Sequence, residues 1–232
     1  MKAQLIVPCY NEEATLQKSF ILINKLLSES SKDLHGVLFV NDGSSDHTQQ
    51  VLEQKRKELI PTLKVQNSIL HLEKNRGKAW AVFAGMQKLK DEKKINDDDL
   101  LFLLDWDIVE KIPDHIVKDI KEMFLENDEL DMVIIWAEEW YATNEIMIEA
   151  SGQRVLKFWA AYKALRQALE KDTAIGYGIE WLFNTVFEGH TEIYRDAVIS
   201  TKPPYRPNNI QNSASRQWDD LRKAQSIAKA IL

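Results

Sequence analysis

Charged side chains that could bind a phosphorylated ligand follow short apolar runs of the sequence. Asp105 and Asp107 come after the run 100–104. Alternate residues at the end of a strand point the same way, so both carboxylates can face one ligand. Two hard oxygen donors suit Mg²⁺ or Mn²⁺, and either ion can in turn hold a diphosphate. Lys78 lies near the start of a predicted helix, where its ammonium and the helix dipole both favour phosphate. These residues predict a site for a diphosphate and a divalent cation.

Three further polar segments follow other apolar runs of the chain, over 8–13, 41–46 and 73–78. Each segment alone could be an ordinary turn, because Asn, Asp, Gly and Pro are common turn residues. Turns do not need an aromatic ring and two basic side chains as well. The presence of Tyr10, Arg76 and Lys78 therefore favours a binding site.

The apolar runs and the stretches between them predict a parallel sheet. The predicted strands are 5–7, 36–40, 68–72, 100–104 and 131–135. The predicted helices alternate with them and are 14–27, 46–59, 77–90 and one that begins at Pro113. This alternation is typical of an α/β fold in which helices cover both faces of a mostly parallel sheet. Because ligands bind beyond the carboxyl ends of such strands, we expect the four polar segments to meet at one edge.

The pattern changes after about residue 136. We predict a helix over 151–169, a short helix over 179–187, a strand over 192–200, a loop over 202–212 and a terminal helix from 213. We therefore expect a nucleotide-binding half over 1–136 and a smaller acceptor-binding region with the C-terminal helix over 137–232. The apolar face of that helix could pack on the domain, on a second subunit of a homodimer or on a membrane, and we favour the first two.

The composition excludes several classes of protein. The 232 residues carry a formal net charge of -6, whereas a nucleic-acid binder needs a basic face. No apolar run approaches the roughly 20 residues of a membrane span, so no integral membrane segment is expected. The single cysteine, Cys9, cannot form an intramolecular disulfide, which predicts a reducing, cytoplasmic setting.

Taken together, the four segments resemble the motifs of the family 2 glycosyltransferases of the GT-A fold. The matching segments are Pro8-Cys9-Tyr10-Asn11-Glu12-Glu13, Asn41-Asp42-Gly43-Ser44-Ser45-Asp46-His47-Thr48, Asn75-Arg76-Gly77-Lys78 and Asp105-Trp106-Asp107. The resemblance covers roughly the first half of the chain. It implies an α/β, Rossmann-like, mostly parallel sheet flanked by helices, with a smaller C-terminal acceptor region. It also implies an enzyme that uses a nucleotide-diphosphate sugar.

The same resemblance implies contacts to the nucleoside. Tyr10 would lie near the nucleobase, Asp42 would hydrogen-bond its Watson–Crick edge and Glu12 would lie near the ribose. The other residues expected to line the nucleotide-sugar site are Pro8, Asn11, Gly43, Asn75, Gly77 and Trp106.

The resemblance also implies contacts to the diphosphate and the metal ion. Arg76 or Lys78 would contact the ribose or the diphosphate. Asp107 would bind the metal and so take part in catalysis, and Asp105 would contact the ribose, the sugar or the metal.

The acceptor side is predicted from the second half. The segment 175–180 resembles one in the related polyprenyl-phosphate sugar synthases and glucosyl-phosphoglycerate synthases, which implies that Glu180 faces the acceptor side. Glu180 is the candidate catalytic base if the acceptor is a hydroxyl, and it would orient the acceptor if that is a phosphate. Glu180 could also be an ordinary glutamate in the first turn of a helix. Arg154 is a candidate acceptor contact or a solvated helix charge. Trp136 and Trp140 stand where the relatives carry a Gly-Ser-Arg-like turn, and they are candidates for stacking on a sugar ring.

These inferences predict a metal-dependent glycosyltransferase that acts on a saccharide, small-molecule or polyprenyl-phosphate acceptor. UDP is slightly favoured over GDP as the nucleotide, and the resemblance favours inversion. Two alternatives stay open. One is a polyprenyl-phosphate glycosyl synthase that is peripheral at the inner face of the membrane, and the other is a non-catalytic nucleotide-sugar or carbohydrate-binding protein.

Overall fold

A computed structural model of the protein describes residues 1–59, 66–106, 113, 115–138, 151–171, 178–200 and 222–232. The described strands form one seven-stranded sheet. They are β1 (Ala3–Cys9), β2 (Leu34–Asn41), β3 (Gln66–His71), β4 (Leu100–Leu103), β5 (Met132–Glu138), β6 (Arg154–Lys157) and β7 (Thr191–Ser200). Their order in the sheet is β3-β2-β1-β4-β6-β5-β7. Among these strands only β6 runs antiparallel to its neighbours, which confirms the predicted mostly parallel α/β sheet.

Helices cover both faces of this sheet. They are α1 (Leu16–Glu29), α2 (Thr48–Leu59), α3 (Lys78–Asp91), α4 (Ile116–Glu126), α5 (Phe158–Lys171), α6 (Ile179–Val186) and α7 over 222–231. One apolar layer contains residues of α1, α2 and α4, and the other contains residues of α3, α5, α6 and α7. In β1, Leu5 and Val7 belong to the first layer and Ile6 to the second, as expected when alternate strand residues face opposite sides.

The stretch 151–169, predicted as one helix, is a strand followed by a helix. The prediction is wrong for Arg154–Lys157, which pairs with β4 on one side and β5 on the other. Val155 enters the first apolar layer and Leu156 the second. A run of four residues fits both the helical and the strand pattern, so pairing with neighbouring strands decides its structure.

The terminal helix packs on the domain over its described part. Ala224, Ile227 and Ala228 of α7 are buried in the second apolar layer, and the Ala230 carbonyl accepts a hydrogen bond from Lys171 Nζ at 2.6 Å. The predicted loop over 202–212 and the first part of the predicted helix lie outside the described residues. Within the described part of the chain, no helix is both long enough and apolar enough to cross a membrane.

Candidate functional site

The loops after β1 and β2 are joined by side chains of both loops. Asn11 Oδ1 accepts the Ser45 backbone N–H at 2.8 Å, and the Asn11 backbone N–H donates to Ser44 Oγ at 3.0 Å. Asn41, the last residue of β2, accepts the Ser44 backbone N–H at 3.1 Å. Asn11 has a φ of 54°, a left-handed conformation that asparagine tolerates better than most residues. Tyr10, between β1 and this loop, is 40% exposed and so is available to stack on a ligand.

Glu12 and Pro8 flank the same loop. The Glu12 backbone N–H donates to Thr48 Oγ1 at 2.8 Å, and its carboxylate accepts the Thr15 hydroxyl at 2.5 Å. Pro8 is half-buried within β1, opposite Val40 of β2. These contacts fix the start of α1 and the start of α2 against the end of β1.

Asp42 fastens the segment before α3 to the end of β2. Its carboxylate accepts the backbone N–H groups of Arg76 at 3.0 Å and Gly77 at 2.8 Å. The residue is only 3% exposed. Burial raises the pKa of Asp42, while the two backbone hydrogen bonds and the Arg76 charge act in the opposite direction. Because each carboxylate oxygen has two acceptor sites, Asp42 can still accept an N–H group of a ligand.

Two glycines allow this close approach. Gly43 has a φ of +63°, and a Cβ on it would lie 2.5 Å from the Asn75 backbone nitrogen. Gly77 has a φ of 90°, and its N–H is also 3.0 Å from Asn75 Oδ1. Any other residue at these positions would strain the backbone, and at Gly43 it would also push the 73–78 segment away.

Arg76 lies at the surface beside these residues. Its guanidinium carbon is 3.6 Å from the centre of the Trp80 ring. This cation–π contact holds the guanidinium over the ring, and Arg76 stays exposed to solvent. Arg76 can therefore supply positive charge at this edge of the sheet.

Lys78, the first residue of α3, is enclosed by two carboxylates. Its Nζ lies 2.6 Å from Asp105 Oδ1 and 2.5 Å from Glu180 Oε1. The side chains of Lys78 and Glu180 are 15% and 8% exposed. Burial alone would lower the pKa of Lys78, but the charges and hydrogen bonds of Asp105 and Glu180 outweigh it and raise that pKa. We refer to Lys78, Asp105 and Glu180 as the charge cluster.

The segment before β6 holds Asp105 in place. The Asp105 backbone N–H donates to Gln153 Oε1 at 2.8 Å, and Gln153 is 1% exposed. Gly152 lies directly against the charge cluster, since a Cβ on it would overlap the Asp105 carboxylate. Neither residue was among the predicted site residues. In the sequence the segment 151–153 is recognisable only as polar and glycine-containing. The antiparallel direction of β6, which brings its beginning to the edge where the parallel strands end, is known from the structure.

Arg154, predicted as an acceptor contact, lies in the interior. It is 1% exposed, and its guanidinium donates to the Ser151 carbonyl at 2.9 Å and to Asn184 Oδ1 at 2.6 Å. These contacts join β6 to α6, the helix that carries Glu180. They favour a structural role, and the acceptor contact of Arg154 stays a prediction.

Trp106, predicted to line the nucleotide-sugar site, lies in the core. The side chain is 2% exposed, and its ring centre is 5.6 Å from that of Phe39 and 6.0 Å from that of Phe20. The ring packs between β2 and α1, which favours a packing role, and the nucleotide contact of Trp106 stays a prediction.

Several predicted residues lie outside the described part of the chain. They are Asp107, Trp140 and the segment 175–177, and the side chain of Trp136 is likewise not described. Their roles stay predictions. Within the described residues no three His, Cys, Asp or Glu side chains are grouped to hold a metal ion, and Asp105 is the predicted metal ligand that the structure describes.

The described edge thus combines three kinds of chemistry. Tyr10 and Asp42 offer an aromatic face and an acceptor, as a nucleobase would require. Lys78, at the start of α3, and the exposed Arg76 offer positive charge, as phosphate would require. Glu180 supplies a carboxylate from the other half of the chain.

A comparison with known protein families gives a match that covers most of the residues at this edge of the sheet. A sequence model described as "Glycosyl transferase family 2" matches residues 4–135, which is more than half of the chain. The matched region includes the predicted nucleotide-sugar-binding residues from Pro8 to Trp106.

Two curated relatives match parts of the sequence. A dolichyl-phosphate beta-glucosyltransferase from Trichomonas vaginalis is 35% identical over 125 residues, which are 51% of this chain and 35% of that protein. An uncharacterized glycosyltransferase from Bacillus subtilis is 30% identical over 137 residues, which are 54% of this chain and 35% of that protein. The matched part of the chain therefore spans about a third of the length of these relatives.

Solved structures share the fold over nearly the whole chain. Glucosyl-3-phosphoglycerate synthase from Mycobacterium tuberculosis, in complex with Mn²⁺, UDP and glucosyl-3-phosphoglycerate, has a TM-score of 0.66 at 15% identity. The alignment covers 98% of this chain and 80% of that one. A fragment of S. aureus TarS in complex with UDP has a TM-score of 0.63 at 16% identity, covering 100% of this chain and 65% of that one. These likenesses confirm the predicted GT-A fold.

Proposed function

The chain belongs to glycosyl transferase family 2, and we propose that it transfers a sugar from a nucleotide-diphosphate sugar to an acceptor, with inversion. UDP is the favoured nucleotide. The UDP present in both solved structures named above supports this choice.

The observation that carries the proposal is the position of Lys78 between Asp105 and Glu180. One residue of this cluster comes from the start of α3, one from the end of β4 and one from α6. An ammonium at a helix N-terminus is suited to a diphosphate, and a nearby carboxylate is suited to accept a proton. The ion pairs of Lys78 with Asp105 and Glu180 therefore support the proposal that Lys78 contacts the leaving group and that Glu180 acts as the base.

The nucleoside would bind beside this cluster. Tyr10 would stack on the base, and Asp42 would accept an N–H of its Watson–Crick edge. The contacts of Asp42 with the Arg76 and Gly77 backbone support this role, because they hold the carboxylate in one orientation before the ligand arrives. Such preorganisation reduces the entropy lost on binding.

The charge balance of the cluster supports a divalent cation. One ammonium lies between two carboxylates, so the cluster carries a net negative charge and needs further positive charge to accept a diphosphate. Asp105 and Asp107 would hold Mg²⁺ or Mn²⁺, whose hard-acid character matches carboxylate oxygens. When bound, the ion would neutralise charge on the departing diphosphate as a Lewis acid.

The chain's own residues would carry the transfer in one displacement. The acceptor hydroxyl oxygen forms a bond to the anomeric carbon while the bond from that carbon to the β-phosphate oxygen breaks. The hydroxyl proton passes to Glu180, and the charge left on UDP is balanced by Lys78 and Arg76. For Lys78 to contact the diphosphate it moves off Glu180, which leaves that carboxylate free to act as the base. An anionic phosphate acceptor needs no base, and Glu180 would then orient it.

A polyprenyl-phosphate acceptor is the second candidate. The T. vaginalis relative, a dolichyl-phosphate glucosyltransferase, supports it. The apolar residues of α7 do not favour it, because Ala224, Ile227 and Ala228 pack on the domain. Flotation with vesicles that contain a polyprenyl phosphate tests this candidate, and recovery of the protein with such vesicles but not with vesicles lacking the lipid phosphate would support it.

Calorimetric titration tests the main proposal. We expect the wild-type protein to bind UDP in the presence of Mn²⁺ more tightly than GDP, CDP or dTDP. Asp42→Ala should weaken UDP binding by about tenfold or more, because a hydrogen bond to a charged group is lost. Asp91→Ala, at the far end of α3, is the matched control and should leave UDP affinity within about twofold. A wild-type protein that binds no nucleoside diphosphate, or an Asp42→Ala variant that binds UDP normally, would overturn the proposal.

A further inference from the structure

We propose that Gly152 is a positioning residue whose missing side chain sets the geometry of the charge cluster. The functional consequence rests on the proposed glycosyltransferase activity. The structural claim does not, because it concerns the packing of Gly152 against Lys78 and Asp105.

The space above Gly152 is filled by the charged groups themselves. A Cβ on Gly152 would overlap Asp105 Oδ2 and would lie 2.5 Å from Lys78 Nζ and 2.6 Å from Asp105 Cγ. A Cβ atom does not approach non-bonded atoms this closely, so any side chain at 152 would displace the Lys78–Asp105 ion pair.

The backbone does not require glycine at this position. Gly43 and Gly77 have positive φ angles, but Gly152 lies outside that left-handed range. An alanine could therefore adopt the same backbone conformation at 152. Space for the charge cluster is the reason that the structure gives for a glycine here.

The Asp105 backbone is held in place, so the shift forced by a Cβ at 152 falls on the Asp105 carboxylate. Its backbone follows β4, and its N–H is held by Gln153, the residue next to Gly152. Gln153 is itself fixed, because its carbonyl accepts the Ile135 N–H at 3.0 Å and its N–H donates to Ser151 Oγ at 3.2 Å. These hydrogen bonds hold the backbone of 151–153 beside the charge cluster, and a methyl group on Gly152 would therefore act on the side chains of Asp105 and Lys78.

The displaced groups are those assigned to the diphosphate side of the site. The three atoms nearest to a Cβ at 152 belong to Asp105 and Lys78, and not to Tyr10 or Asp42, which are assigned to the base. A substitution at 152 should therefore weaken recognition of the diphosphate and spare recognition of the nucleoside.

A double-mutant cycle tests the structural claim without any ligand. Gly152→Ala should lower the free energy of unfolding in urea, and the loss should be at least halved in an Asp105→Ala background, where the overlapping carboxylate is gone. If Gly152→Ala does not fold, the double variant should recover the fold. Equal losses in both backgrounds, or a double variant that folds no better than the single one, would overturn the proposal.

Ligand binding tests the functional claim. The readout is the ratio of UDP to UMP affinity, which isolates the contribution of the second phosphate. Gly152→Ala should reduce this ratio by about tenfold, the loss expected when a charge-assisted contact is broken, while UMP affinity stays within about twofold. An unchanged ratio, or an equal loss for UMP and UDP, would show that Gly152 does not position the diphosphate contacts.

Gly36→Ala is the matched control. A Cβ on Gly36, in β2, would overlap Gln4 Oε1, the polar tip of a side chain outside the charge cluster. It should reproduce the strain of an added methyl group without changing the UDP to UMP ratio. If the wild-type protein binds neither nucleotide, the proposed function fails, and the double-mutant cycle still decides the role of Gly152.

Discussion

Lys78 and Glu180 are 102 positions apart in the sequence, yet the Lys78 ammonium donates to Glu180 Oε1 at 2.5 Å. Lys78 lies within the region that matches the family model, and Glu180 lies beyond it. The buried ion pair therefore joins the predicted nucleotide side of the site to the predicted acceptor side. It also gives each side chain a partner in the absence of ligand, which limits the penalty of burying either charge.

Removal of the Lys78 charge should destabilise the protein. Lys78→Met leaves Asp105 and Glu180 near each other without the cation between them. Because breaking a buried ion pair leaves uncompensated charge, we expect the free energy of unfolding in urea to fall by about 3 kcal/mol. Lys25→Met is the control, since the Lys25–Glu29 pair is much more exposed, and its effect should stay within about 0.5 kcal/mol. Equal effects of the two substitutions would contradict the role of the cluster.

The stability conferred by Asp42 should depend on pH. Burial raises the pKa of Asp42 in the folded protein, despite the opposing contacts of Arg76 and Gly77. The folded state therefore binds the proton more tightly than the unfolded chain does. The stabilisation that this proton provides is complete below the unfolded-state pKa and is lost as the pH rises through the folded-state pKa.

The test compares urea unfolding of the wild type and Asp42→Ala at about pH 7 and about pH 4, close to an ordinary carboxyl pKa. We expect the stability of the wild type relative to the variant to increase toward the lower pH. A relative stability that decreases on acidification would mean that the hydrogen bonds to Asp42 outweigh its burial.

Cys9 should be unreactive in the folded protein. It is 4% exposed and its thiol donates to the Val40 carbonyl at 3.4 Å. Burial, and to a smaller extent the charges of nearby carboxylates, raise the pKa of the Cys9 thiol. Because the thiolate is the nucleophile, Ellman's reagent should not react with the native protein at about pH 8. The same reagent should titrate the thiol in denaturant, and rapid reaction of the native protein would contradict its burial.

Substitution of Trp106 should affect stability and spare nucleotide binding. Trp106→Phe leaves a smaller ring between Phe20 and Phe39, and we expect a loss of about 1–2 kcal/mol in the free energy of unfolding. UDP affinity, measured by calorimetry at a temperature where the variant is folded, should stay within about twofold. A large loss of UDP affinity without a loss of stability would support the nucleotide contact that was predicted for Trp106 from the sequence.

The strand–helix alternation was enough to predict most of the described sheet. Continuous apolar runs such as those of β1, β2 and β4 indicate buried strands, and the polar residues after them had to meet at one edge. Asp42, Arg76 and Lys78 could be placed there for that reason. Glu180 required the resemblance as well, because its own segment fits an ordinary helix start.

The features of the site that were not predicted depend on tertiary contacts, which a local sequence pattern does not indicate. Gln153 and Gly152 were missed because β6 is short, and its antiparallel direction brings its beginning to the site. Trp106 was predicted to line the site because it stands between two predicted metal ligands, and the packing of its ring against residues from α1 and β2 could not be predicted from that position. The pairing of Lys78 with two carboxylates could not be predicted either, since the sequence pattern indicated only that Lys78 was suited to bind phosphate.

The place of β6 in the sheet limits how the chain can be divided. Both neighbours of β5 in the described sheet, β6 and β7, come after residue 136, and β6 also covers the edge of β4. A fragment cut at that boundary would keep the family's motifs but leave β5 without a pairing partner and one side of β4 open. Exposed strand edges promote association between chains, so such a fragment should be prone to aggregate. The predicted nucleotide-binding half over 1–136 would therefore depend on strands that follow it in the sequence, and we do not expect it to fold as a separate module.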